Sequence, residues 1–197
     1  MSMELIMEYL LEYGPLIIFI ALFFGIVGIP APEESFLVFL GMLCVRGELS
    51  LINCMIFALL GTIAGMLVAY GAGKIFGDRI INQFGKYIGL TESLWQDMKR
   101  KYEKRAALSI VLGLYLPGVR QVNPYFAGAS QISFISFVLL AFIGSVLWVL
   151  PYILVGFIFG RWFNIPVEYI SILGFALLFL FIASIVFKMV KKKQVTV

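Results

Sequence analysis

A helix needs about 20 consecutive apolar residues to cross a hydrocarbon layer roughly 30 Å thick, and three stretches of this chain supply them: Leu51 to Gly73, Phe134 to Phe159 and Tyr169 to Phe187. In lipid, every backbone N–H and C=O must be bonded inside the protein, which leaves helices or closed barrels. Uninterrupted apolar runs of this length select helices. Of the 197 residues, 62% are hydrophobic and 13% charged, against roughly 45–50% and about 25% in soluble domains. No polar stretch is long enough to build a separate soluble domain, so residues 1–197 read as a single membrane domain.

Two further apolar regions are interrupted. Residues 14–45 contain Pro30-Ala31-Pro32-Glu33-Glu34, and residues 106–130 contain Pro117-Gly118-Val119-Arg120 followed by Pro124. Proline removes a backbone donor and clashes with the preceding helical turn. Each region is therefore expected to form a helix, a break and a second helix, with the breaks at Pro30, Pro32, Pro117, Gly118 and Pro124. The loop from Lys74 to Arg105 is rich in bases, and the tail, residues 188–197, adds Lys188, Lys191, Lys192 and Lys193. Under the positive-inside rule both face the cytoplasm. That parity holds if 106–130 is a re-entrant hairpin entering from the cytoplasmic side. The same count makes 14–45 a hairpin entering from the opposite face, with the acidic segment 1–13 outside. A tilted full span over 14–45 with the N-terminus inside is the alternative. Within the basic loop, Thr91 can cap a helix whose Leu94, Trp95, Met98 and Tyr102 share a face opposite Lys and Arg. This is the pattern of an interfacial amphipathic helix. The expected fold is all-α: a polytopic membrane protein with two oppositely oriented re-entrant hairpins, about three full spans and that interfacial helix.

Ionisable groups at membrane depth cost several kcal/mol and are retained where they line a cavity or pair. Glu34 and Arg120 are the leading pair, with the hairpin tips expected to bring them together at the midplane. Glu33 is a second carboxylate there, with water as one candidate surrounding. Gln121 and Asn123 add amides, which favour a polar cavity over a purely structural ion pair. Arg120 could clasp a phosphate in bidentate fashion, and a desolvated carboxylate could take up a proton. Histidine is absent, which removes the commonest general base and metal ligand. Cys44 and Cys54 have no metal spacing and read as buried small hydrophobes. Catalytic residues, metals and cofactors are not expected. Gly61, Gly65, Gly73, Gly113, Gly118 and Gly128 read as helix-packing positions, Tyr70 and Lys74 as interfacial anchors. The acidic N-terminus lacks the basic region of a signal peptide and reads as uncleaved.

These residues resemble the DedA family, also called the SNARE-associated or VTT-domain family. The resemblance rests on Gly28-Ile29-Pro30-Ala31-Pro32-Glu33-Glu34 with Gly41, on Tyr70, Gly73, Lys74 and Gly77, and on Pro117-Gly118-Val119-Arg120 through Pro124, Ala127 and Gly128. It implies a lipid transporter with two opposed re-entrant hairpins, Glu34 as the acidic position of the first and Arg120 as the arginine of the second. Many members carry further charges where this chain has Gly25 or Ile26, Met66 and Leu114. The expected function is a flippase or scramblase in a bacterial or archaeal cytoplasmic membrane, with a cytoplasmic C-terminus. Its partner is a phospholipid or a polyprenyl phosphate such as undecaprenyl phosphate. A proton-coupled small-solute or ion transporter is the alternative, and an enzyme acting on lipid phosphate ranks third. Homo-oligomerisation is left open, and no nucleic acid partner is expected.

Overall fold

The computed structural model describes residues 3–29, 31–45, 47, 49–84 and 92–163. Among these residues there are seven helices and no strand: α1 Met3–Val27, α2 Glu33–Val45, α3 Leu51–Phe84, α4 Glu92–Glu103, α5 Ala106–Gly113, α6 Val119–Ala129 and α7 Phe134–Phe163. The all-α expectation is met. Pro30, Thr91, the span expected over 169–187 and the basic tail lie outside the described residues.

Both interrupted regions fold as helix, break, helix. The first break runs from Gly28, whose N–H donates to Phe24 O at 3.1 Å, to Glu33 at the start of α2. The second lies between Gly113 and Val119. Gly118 caps α6 with φ +84°, a left-handed conformation that an L side chain adopts only at a penalty. Pro124, expected to break the chain again, instead lies inside α6. The helix continues through it, and the proline simply cannot donate to the carbonyl of Arg120 four residues back.

Leu51–Gly77 and Phe134–Trp162 are long and apolar enough to cross a membrane. α3 does not end there but continues through the polar residues to Phe84, since no proline interrupts its hydrogen-bond ladder after Leu51. Along both helices large apolar side chains point outward, among them Ile52, Leu60, Val68, Ile135, Leu139 and Phe142. Contiguous apolar surface on this scale marks contact with a partner or with lipid.

The chain divides into two compact units, one of residues 1–29 with 55–150 and one of 30–54 with 151–197. In the first, glycines set the helix register. A Cβ on Gly61 would meet the Phe19 backbone and one on Gly65 the Phe23 carbonyl and Ile26, so α1 runs in the same direction as α3. A Cβ on Gly73 would fall on the Tyr125 carbonyl, and one on Gly77 on Ala129, so α6 also runs with α3. α7 runs against α3: Tyr70 stacks on Phe137 with ring centroids 4.4 Å apart, while Ser145 Oγ lies 3.7 Å from Met66 Sδ. α5 runs with α7, because Gly144 packs on Val111 and Leu114 and Tyr115 donates its hydroxyl to Leu147 O at 2.6 Å.

In the second unit, α2 lies along the C-terminal part of α7. Backbone meets backbone there, Gly41 against Ile153 and Phe157 and Gly156 against Val38. Cys44 and Cys54 are both buried free thiols with their sulfurs 3.3 Å apart.

Candidate functional site around the second hairpin

The register above sets the depth of the second hairpin. Its α5 arm and the following turn pack at Gly144 to Leu147 of α7, and Ser145 is level with Met66 of α3. Met66 lies near the middle of the apolar run Leu51–Gly77, which at 1.5 Å per residue is about 40 Å long. The α6 arm returns along α3 until Ala129 meets Gly77, where that run ends. The turn thus sits at mid-run and the hairpin's two ends at one end of it.

Arg120, in the first turn of α6, is 2% exposed. Its guanidinium carbon lies 4.9 Å from the ring centroid of Trp148, itself fully buried on α7. A planar, weakly hydrated guanidinium can stack on indole where a lysine ammonium would lose its hydration, and a desolvated cation–π contact contributes about 2 kcal/mol. Gln121 beside it is half-buried, and Pro117 and Gly118 are exposed.

Asn123 is buried and ties three elements together. Its amide donates to Ser109 O at 2.7 Å, bridging α6 to α5. Its carbonyl oxygen accepts from the Tyr102 hydroxyl at 2.6 Å, reaching α4. Burial holds the Tyr102 phenol well above its ordinary pKa, so it remains a neutral donor. A Cβ on Gly113 would collide with the Asn123 amide, so glycine there is what lets the two arms close. Asn123→Ala is expected to destabilise the protein by about 2–4 kcal/mol, since it removes both bonds and strands the Tyr102 hydroxyl. Thermal unfolding in detergent would measure it, and an unchanged midpoint would show that Asn123 does not hold the hairpin.

α4 docks on this hairpin through aromatic rings. Trp95 and Tyr102 each meet Phe126 edge-on at 5.0 Å, and Lys99 lies over Trp95 at 5.3 Å. The helix therefore turns Trp95, Lys99 and Tyr102 inward and leaves Leu94 and Met98 exposed, dividing the apolar face expected from the sequence. The i, i+4, i+7 stripe through 95, 99 and 102 wins because it carries both rings that Phe126 accepts and the hydroxyl that Asn123 needs.

The first hairpin's carboxylates belong to the other unit. Glu33 is 1% exposed, so it is enclosed rather than turned to water, and Glu34 and Pro32 are half-buried. Both acids stand in the first turn of α2, where unsatisfied backbone N–H groups favour negative charge. Tyr125 of α6 donates to Val27 O at 2.6 Å, fixing the end of α1 that precedes this break. Sequence reasoning did not single out Trp148 or Ser130. An arginine within an apolar segment signals that it needs a partner, but not that the partner is an indole ring.

The VTT domain family model matches residues 29–158, a segment that contains both breaks, α4 and Arg120. The chain is 33% identical over 158 residues to the uncharacterized membrane protein YbfM of Bacillus subtilis, covering 80% of this chain and 98% of that protein. It is 30% identical over 161 residues to Protein DedA of Escherichia coli K12, covering 78% and 73% respectively. With undecaprenyl phosphate transporter A of Staphylococcus aureus it shares 26% identity over 160 residues, 78% of this chain and 77% of that one. No solved structure matches. The extent of the family match and these identities establish that the chain belongs to the VTT-domain, or DedA, family of membrane proteins.

Proposed function

We propose that this protein is a membrane lipid transporter that moves a phosphate-bearing lipid between leaflets, with the second hairpin re-entrant and Arg120 as the group that meets the headgroup. The observation that carries this reading is a guanidinium enclosed at the middle of an apolar run and held over the ring of Trp148. A charge at that depth is expensive unless it serves a polar path. Arg is suited to phosphate because its fork matches two oxygens at once. The hairpin reading is supported by the turn level with Met66 and by both hairpin ends lying toward Gly77. α1 runs from the opposite end of α3 toward its middle, which supports a first hairpin entering from the other face. The basic loop supports a cytoplasmic position for the Gly77 end. The relative named undecaprenyl phosphate transporter A favours a polyprenyl phosphate or a phospholipid as cargo, in a cell membrane. Glu33 and Glu34 are the carboxylates available for proton coupling, and Gln121 and Asn123 the amides of the second hairpin.

Purified protein in liposomes with a fluorescent phospholipid or polyprenyl phosphate in one leaflet tests this directly. Exchange between leaflets is expected to rise at least about tenfold above protein-free vesicles. Solute uptake driven by a pH gradient, with no lipid exchange, would replace this reading with a small-solute transporter.

A further inference from the structure

One cavity in the first unit plays no part in the account above. It has a volume of about 280 Å³ and is lined by Gln96, Lys99, Arg100 and Glu103 of α4 and by Ala129, Ser130 and Gln131 at the end of α6. That is close to the lower limit for small-molecule sites, roughly 300 Å³, and is suited to a headgroup rather than a whole lipid.

Its chemistry is donor-rich. Lys99 and Arg100 contribute two cations against the single carboxylate of Glu103, and Gln96 and Gln131 contribute amides. Ser130 is 2% exposed, yet its buried hydroxyl has no hydrogen-bond partner among the described residues. A buried, unsatisfied hydroxyl costs free energy and calls for an explanation. Ser130 lines a cavity whose other walls carry positive charge, and rotation about its Cα–Cβ bond can turn the hydroxyl toward that space. Lys99 is also nearly enclosed, at 8% exposure, with its ammonium 5.3 Å from the centroid of the Trp95 ring, so the charge is held at the cavity wall rather than free to swing.

The negative end of α6 is weakened as an obstacle to an anion here, because three of its last carbonyls are already used. Ser130 N–H donates to Phe126 O, Gln131 N–H to Gly128 O and Ile132 N–H to Ala127 O, the pattern of a closed helix C-terminus. Gln131 holds the left-handed position of that motif, φ +56°, where glycine is usual. The cavity's depth is set as well. Ala129 meets Gly77, at the end of the apolar run of α3. The cavity is therefore level with the end of that apolar run, the depth expected for lipid headgroups.

The geometry points to a second phosphate-binding site, separate from Arg120, in which Lys99, Arg100 and the Ser130 hydroxyl hold a phosphate monoester at the membrane boundary. The transport reading is needed only to say that this phosphate is carried by the cargo lipid; the site itself rests on the cavity. A lipid phosphate monoester and free inorganic phosphate share this chemistry.

The test uses the full-length protein in nanodiscs of phosphatidylcholine with or without phosphatidic acid, with bound lipid counted by native mass spectrometry. A parallel arm titrates the protein in detergent with inorganic phosphate in a calorimeter. Ser130→Ala and Arg100→Gln are each expected to weaken binding of the phosphate monoester about five- to tenfold. Ser130→Ala removes only an unsatisfied atom, so its melting temperature is expected to equal or exceed that of the wild type. Binding of phosphatidic acid alone assigns the site to a lipid headgroup, and binding of inorganic phosphate as well assigns it to the free anion too. Either result supports the site. Binding by neither source, or affinity unchanged in the Ser130→Ala/Arg100→Gln double variant, overturns it. Binding present without leaflet exchange would defeat the transport reading alone, and exchange present without binding would defeat the cavity alone.

Discussion

Gly128→Val is expected to abolish the folded protein. A Cβ at Gly128 would fall on the carbonyl of Tyr70 and the backbone nitrogen of Lys74, atoms of the α3 backbone that no rotamer change can move aside. The helices would have to separate. With that separation go the contact of Gly73 with Tyr125, the contact of Gly77 with Ala129 and the bond from the Tyr70 hydroxyl to Ile132 O at 2.5 Å. Accommodating extra atoms in a packed interior costs about 1–3 kcal/mol when side chains can adjust. A backbone collision should exceed about 3 kcal/mol, a large share of the roughly 5–15 kcal/mol that holds a typical protein folded. Size-exclusion profiles and melting midpoints in detergent would read the effect. The control is Gly71→Ala on α3. A Cβ there meets nothing within 4 Å, so the substitution is expected to be neutral or to stabilise by up to about 1 kcal/mol through helix propensity alone. Equal behaviour of the two variants would refute the close α3–α6 approach.

Arg120→Ala has the second large effect, this time on transport. If Arg120 is the headgroup's partner at mid-depth, removing its charge leaves a phosphate to cross the apolar middle unaided. Leaflet exchange is expected to fall at least about tenfold, equivalent to about 1.4 kcal/mol on the barrier. Arg120→Lys keeps the charge but loses both the planar stacking on Trp148 and the two-pronged grip, so intermediate exchange is expected. Trp148→Leu keeps the guanidinium and removes its platform, and a smaller loss is expected. Each variant is to be compared at matched melting temperature, so that a folding defect does not pass for a transport defect. Exchange at the wild-type rate in well-folded Arg120→Ala protein would take Arg120 out of the lipid's path.

Several features were legible in one dimension. The apolar runs that became α3 and α7, the breaks at Gly28 to Pro32 and at Pro117-Gly118, and the helix over 92–103 all follow from local rules. Apolar length, proline chemistry and helical period are properties of neighbouring residues. Arg120 could be singled out for the same reason, since a charge within an apolar stretch needs no structure to be noticed. Pro124 shows the limit of such rules. A proline within an otherwise helical segment can end the helix or be carried inside it, and packing against Gly113, Ser109 and Tyr102 through Asn123 accompanies the second outcome here.

By itself, then, the sequence determined the all-α class, the presence of one break in each interrupted segment and the membership of charged residues in apolar segments. The tertiary structure decided depth, enclosure and partners. It set which of two adjacent carboxylates is enclosed, which stripe of α4 faces inward, that Trp148 lies under Arg120, and that Ser130 borders a cavity with Lys99 and Arg100. The physical reason is that burial and register depend on how closely backbones approach across tens of residues. In this protein that approach is set by contacts such as Gly73 with Tyr125 and Gly128 with Tyr70, between segments that carry no local trace of one another.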